Sequence, residues 1–207
     1  KNGNPEAYRD ANSLRVSLKL IKKNQNGVLS LVPYFRKNKM EFLQHYLPGT
    51  PVEENSHTSY GAIFQRIINL GETTWVSGFQ IERANMNLKE TQQNALTNSS
   101  SFNNATRPKG KHYDYGAESK VFALFSGIEG INLGENLQGF GDIRAESINY
   151  SYDNKMIDGN TRDDGSVCGF GGCYYNRPAD RTDDHQEISA RLGIETSNEG
   201  INYFAQS

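Results

Sequence analysis

The connections along this chain alternate in length, and that alternation constrains its fold more than any single residue does. Apolar and polar side chains alternate too, with the period of two that marks half-buried strands. Ser13–Lys22 reads SLRVSLKLIK: Leu14, Val16, Leu18 and Leu20 take one face, Arg15, Ser17 and Lys19 the other. The same pattern predicts strands over Val28–Lys39, Thr58–Ile68, Thr73–Asn85, Tyr113–Gly127, Leu137–Tyr152 and His185–Glu195. A last piece begins near Ile201, giving about eight strands, most near the 9–11 residues of a tilted membrane-spanning strand. No helix is expected, and Pro33, which cannot donate to a ladder, is the weakest point of the second strand. Short turns near Asn24–Gly27, Asn69–Glu72, Glu129–Asn136 and Ser197–Gly200 alternate with long polar loops near Met40–His57, Glu90–His112 and Asp153–Asp184. In an up-and-down sheet every second connection lies at one end. One end of this sheet is therefore trimmed and the other heavily decorated.

That asymmetry belongs to antiparallel up-and-down transmembrane β-barrels. Composition is compatible with one. No run approaches the roughly 20 apolar residues of a transmembrane helix, but barrel strands leave little hydropathy signal. Aromatics reach 11%, too many for a disordered chain. Lys+Arg 22 against Asp+Glu 24 leaves a net charge of −2, without the basic excess of a nucleic-acid binder. Two other architectures share the alternation. A soluble extracellular β-sandwich, binding carbohydrate or a protein partner, would turn the apolar set inward against a second sheet. A complete eight-strand barrel would pair Ser13–Lys22 with Ile201–Ser207. Tyr34, Phe42, Tyr46, Tyr60, Trp75, Tyr113 and Tyr115 fall near strand ends, where they could form interfacial girdles or pack as ordinary strand residues.

Two blocks narrow the choice. Leu31–Asn55, LVPYFRKNKMEFLQHYLPGTPVEEN, resembles a strand-plus-loop segment of TonB-dependent outer-membrane receptors. Tyr150–Arg181, YSYDNKMIDGNTRDDGSVCGFGGCYYNRPADR, resembles a long extracellular loop of the same receptors. Gly78–Gln92 and Gly110–Tyr115 (GKHYDY) fall between them in the expected order, so the resemblance covers roughly Leu14–Ile194. It implies a mid-barrel segment of a larger outer-membrane protein, without the plug domain or TonB box, spanning 1–207 as partial barrel. It further implies active import of a ferric siderophore or similar scarce chelate, with TonB supplying energy through the plug, outer-membrane lipid around the wall, and no cofactor. The start at Lys1 and the end in INYFAQS fit a segment open at both ends.

The loops carry the candidate site. His45 and His112 fall where such receptor loops face the extracellular vestibule. Arg107, Lys109, Lys111, Arg177 and Arg181, with Tyr46, Tyr113, Tyr174 and Tyr175, supply the charge and aromatic planes that anionic, flat chelates engage. Cys168 and Cys173 bracket Gly-Phe-Gly-Gly, and a disulfide pinning a loop tip is expected, rather than a metal site. The run Asp158–Gly165 does not fit an EF-hand spacing and is expected to be solvated turn. No G-x-S-x-G, H-E-x-x-H or G-x-x-x-x-G-K-[ST] motif is present, so the expected protein is not an enzyme.

Overall fold

The structure, a computed structural model, describes residues 6–43, 49–97, 99–198 and 201–206. They form one antiparallel sheet: β1 (Arg9–Ser17), β2 (Leu20–Asn24), β3 (Gly27–Leu43), β4 (Val52–Leu70), β5 (Thr73–Gln92), β6 (Gly110–Gly134), β7 (Leu137–Asn154), β8 (Arg181–Asn198) and β9 (Ile201–Gln206). Their order is β1-β3-β4-β5-β6-β7-β8-β9, with β2 also on β3. β1 and β2 are two pieces of one strand. Continuing the β1 register sets the break at Leu18 opposite Pro33, whose carbonyl accepts from the Leu18 amide at 3.1 Å but which has no N–H to return. The sheet is therefore eight strands wide.

The architecture is single-layered, which removes the sandwich: among the described residues no second sheet covers the apolar face. Val16 is 56% exposed, Ile188 74% and Leu192 67%. Among the described residues β1 pairs only with β3, and β9 only with β8, so the sheet is open, as a segment would be, and the pairing that a complete eight-strand barrel would need is not made.

Cross-strand partners share a face, so the register sorts the side chains. One face carries Leu14–Leu20, Phe35–Leu29, Tyr60–Phe64, Ile81–Phe79, Phe122–Ile128 and Ile188–Ile194 at alternate positions. The other carries Arg36, Gln80, Glu82, Arg144, Glu146, Asp142 and Arg191. The apolar band crosses the strands on a diagonal. Ile188, at its top on β8, stands in register through Ala145, Leu124, Phe79, Phe64 and Leu31 with Leu20, at its bottom on β2. Over six strand-to-strand steps the band slides about six residues. At ~3.4 Å per residue and ~4.8 Å per strand, this inclines the strands about 35° from the band's normal. Tilt of that size is what barrel closure demands.

Strand length corrects the sequence reading. The strands reach 17 to 25 residues from β3 to β8, well beyond the expected 9–11; the extra length lies mostly at the long-loop end, except on β6, which runs on from Gly127 to Gly134 into the expected short turn. The second and third loops shrink accordingly, to the stretches between β5 and β6 and between β7 and β8. A short helix, α1 (Ser101–Thr106), stands in the second loop where none was expected, with Ser100 Oγ accepting from the Asn103 amide at 3.1 Å. Of the strand-end aromatics, Tyr60 and Trp75 face outward with the apolar band. Tyr34, Phe42, Tyr113 and Tyr115 share the polar face, and Tyr46 lies outside the described residues.

Candidate functional site

The long-loop end is built around a β-bulge. The β5–β6 register slips between Glu90/Thr91, where one residue is inserted at His112. The bulge turns the imidazole under the loops, where it is 1% exposed. Nδ1 lies 2.9 Å from Glu90 Oε1 and Nε2 lies 2.9 Å from the Pro108 carbonyl, while the ring stacks on Tyr175 at 4.4 Å. Arg177, also 1% exposed, holds its guanidinium 5.4 Å from the centre of the Tyr175 ring. Its guanidinium donates to the carbonyls of Ile157 (2.7 Å), Thr161 (2.7 Å), Arg162 (3.3 Å) and His112 (3.2 Å) and to Thr161 Oγ1 (2.9 Å). A planar five-donor group suits this task, since one side chain satisfies carbonyls from three turns of loop.

The third loop is thereby fixed onto the second. Tyr174 N donates to Thr106 O at 2.8 Å, Cys173 N to Asn160 O at 2.9 Å, and Gly159 bridges to Arg177. Lys111 N donates to Asp163 Oδ2, and Ser166 N to Asp164 Oδ1 at 2.8 Å, so the acidic run performs turn chemistry. Ser166 also holds the Asp164 carboxyl below the usual range. The first loop is tied in by buried Gln92, whose Oε1 accepts from Thr50 N at 3.0 Å and whose Nε2 donates to Asn94 O at 2.8 Å.

Cys168 and Cys173 form the expected disulfide. It holds up a tip on which Phe170, 69% exposed, meets Phe102 of α1 edge-on at 5.2 Å. Phe102 also meets Tyr174, 62% exposed, at 5.7 Å, and the Arg107 guanidinium lies 5.8 Å over the Tyr174 ring. A concavity of about 570 Å³ opens between them, lined also by Thr106, Tyr113, Asn160 and Gly172.

The sequence-predicted residues thus divide. Tyr113 and Tyr174 line this concavity, and Arg107 reaches it only through the Tyr174 ring. Tyr175 also lines it, and His112 and Arg177 lie buried against Tyr175. Lys109 is exposed beside them, and Lys111 pairs with Asp114 at 2.9 Å. Arg181 stands apart at the start of β8, paired with Asp183. His45 and Tyr46 lie outside the described residues. Phe102, Phe170 and the Gln92 tie were missed. Burial raises the Tyr175 phenol above its ordinary range.

No protein-family model matches the sequence, and no curated protein matches it significantly. Solved structures do match in fold. The chain superposes on the copper transporter OprC with a TM-score of 0.68 at 12% identity, over 96% of this chain and 31% of that one. The unliganded ferric citrate transporter FecA gives 0.65 at 10% identity, over 97% and 27%. The ferric-catecholate import receptor Fiu of E. coli K12, in its open form, gives 0.65 at 12%, over 99% and 36%. The chain spans about a third of the length of the solved structures it matches. It has the fold of a segment of β-barrel wall, eight antiparallel strands wide.

Proposed function

We propose that this chain is a wall segment of a TonB-dependent outer-membrane receptor that imports a scarce metal chelate, most simply a ferric siderophore. The observation that carries the reading is the diagonal apolar band. It gives one face of a tilted sheet to lipid, the other to a polar lumen, and raises all three laced loops on the same side. The likeness to transporters and import receptors supports it at the level of fold. On this reading the concavity ringed by Phe102, Tyr113, Phe170 and Tyr174 meets the chelate, with Arg107 over the Tyr174 ring, Lys109 and Lys111 adding positive charge and Arg181 lying further down the wall. His112, Tyr175 and Arg177 hold its floor. Nothing covalent happens to the cargo: cation–π and stacking contacts capture it. A plug coupled to TonB and the proton gradient would release it, and the segment itself supplies no energy.

The test uses the whole receptor in cells. Radiolabelled ferric chelates are offered to strains carrying wild type, Tyr174→Ala and Arg107→Ala. We expect each substitution to weaken surface binding roughly tenfold, one stacking or charged contact's worth. Deleting TonB is expected to leave binding intact and abolish accumulation. Uptake that persists without TonB would overturn the energy coupling.

A further inference from the structure

The chain holds three methionines, Met40, Met86 and Met156, and register brings two of them to one place. Met86 on β5 is the direct cross-strand partner of His57 on β4. Met40 on β3, paired with Asn55, stands diagonal to His57 on its other side. All three point to the polar face, four residues down β5 from Glu90 and so ~14 Å below the bulge. Direct partners hold their Cβ atoms ~4.5–5.5 Å apart and diagonal neighbours stand within ~7–8 Å. The three torsions of a methionine and the length of an imidazole close that span onto a single point.

Methionine ordinarily fills gaps in a core. The described sheet is single-layered, and Met86 is 37% exposed, while Met40 and His57 are half-buried. Among the described residues His57 has no hydrogen-bond or ion-pair partner. The direct neighbours on this face are neutral: Asn38 beside His57, Ala11 and Asn55 beside Met40, Ala117 beside Met86. The nearest charges stand diagonally and are turned elsewhere. Glu53 accepts from Asn55 Nδ2 at 2.8 Å, Arg9 lies 5.4 Å over the Phe42 ring, and Arg36 lies 4.5 Å over the Tyr34 ring and 3.9 Å from Glu82. Two cations thus balance two carboxylates around a set of two sulfurs and one imidazole.

We infer that Met40, His57 and Met86 form a three-coordinate site for a soft monovalent cation, cuprous or silver. Thioether and imidazole donors select such an ion over hard cations, which take oxygen ligands in larger number. With no anionic ligand in the set the ion's charge stays uncompensated, and that costs least for a single charge. Capture forms three dative bonds and moves no electron. The site lies apart from the concavity that meets the chelate, so the inference goes beyond that reading and does not depend on it.

Calorimetric titration of the full-length receptor in detergent tests this, with Ag(I) as the probe and Zn(II) as competitor. Wild type is expected to take one equivalent of Ag(I) more than Met40→Leu with Met86→Leu, a volume-conserving pair of changes. His57→Gln is expected to weaken that equivalent at least roughly tenfold, because losing a ligand costs more than losing a ligand's own hydrogen-bond partner. Met156→Leu, in the third loop, is expected to change nothing. Heat-modifiable gel mobility identifies any variant that fails to fold, and Met86→Leu alone, at an exposed side chain, then decides where the pair cannot. Equal uptake by wild type and the methionine variants would overturn the inference and leave the chelate reading standing. Displacement of Ag(I) by equimolar Zn(II) would also overturn it, because the donors would then not be selecting for softness. Surface binding of ferric chelate is expected to be unchanged in the same variants. Its loss together with the Ag(I) equivalent would overturn the site as a separate one.

Discussion

Arg177 looks from sequence like a ligand contact, because a cation beside two tyrosines in a long loop usually has water or an anion to face. Its neighbours decide otherwise: five hydrogen bonds to backbone and hydroxyl oxygens consume the guanidinium. Arg177→Ala leaves several buried carbonyls without donors and should cost about 3 kcal/mol or more of local stability. Arg177→Lys should rescue little, since an ammonium cannot span the same acceptors. Hydrogen exchange checks both: amides of 155–180 should lose protection while those of β6 and β7 keep theirs. Tyr175 supplies a pH dependence. Below pH ~10 its phenol is protonated in folded and unfolded chains alike. Above that the unfolded chain ionises first, because burial raises the folded value, so loop stability falls as pH rises. Absorbance titration at alkaline pH should show a late tyrosinate step that Tyr175→Phe removes. The sequence reading put His112 at the end of a loop, but it stands in β6, buried at the bulge. A bulge is a mismatch between two strands, and neither strand's sequence records it alone.

Strand identity was legible because the apolar band gives alternation a strong contrast, as in Ser13–Lys22. Strand length was not. Above the band the outer face turns polar, with Asn85, Asn87, Glu118 and Ser151, while the opposite face mixes Glu53 and Glu90 with Phe42, Leu88 and Tyr115, so the period-two contrast fades while the ladder continues. α1 escaped because SFNNAT has no apolar period. The Ser100-to-Asn103 spacing of its cap was the signal that could have found it. Pro33 was correctly the weak point, though the consequence falls on its neighbour, where β1 and β2 part. The band makes a graded prediction along β6. Leu124→Lys, central in the band, should cost about 2–4 kcal/mol of stability in bilayers, and Phe122→Lys, nearer its edge, less. Phe125→Lys on the polar face should be milder still. Equilibrium unfolding of the whole receptor in lipid vesicles measures the series.

At the scale of the molecule, what is missing from the described sheet is closure. β1 and β9 each present an unpaired edge, and an apolar face without cover adjoins both, a combination that invites association. The chain expressed alone should therefore aggregate in water. Sedimentation of the isolated segment, with and without the remaining strands supplied in trans, reads this directly. A monomer stable in water would sink it. The upward reach of β6 carries a different consequence. From Lys120 to Gly110 it climbs ten residues past the band, which at a ~35° tilt lifts the loops roughly 25–30 Å. On the membrane reading proposed above, that height carries Val167 and Phe170 beyond the lipid's own polar layer, like a lantern on a mast, and anything approaching from outside, an antibody included, would meet the disulfide tip before the membrane.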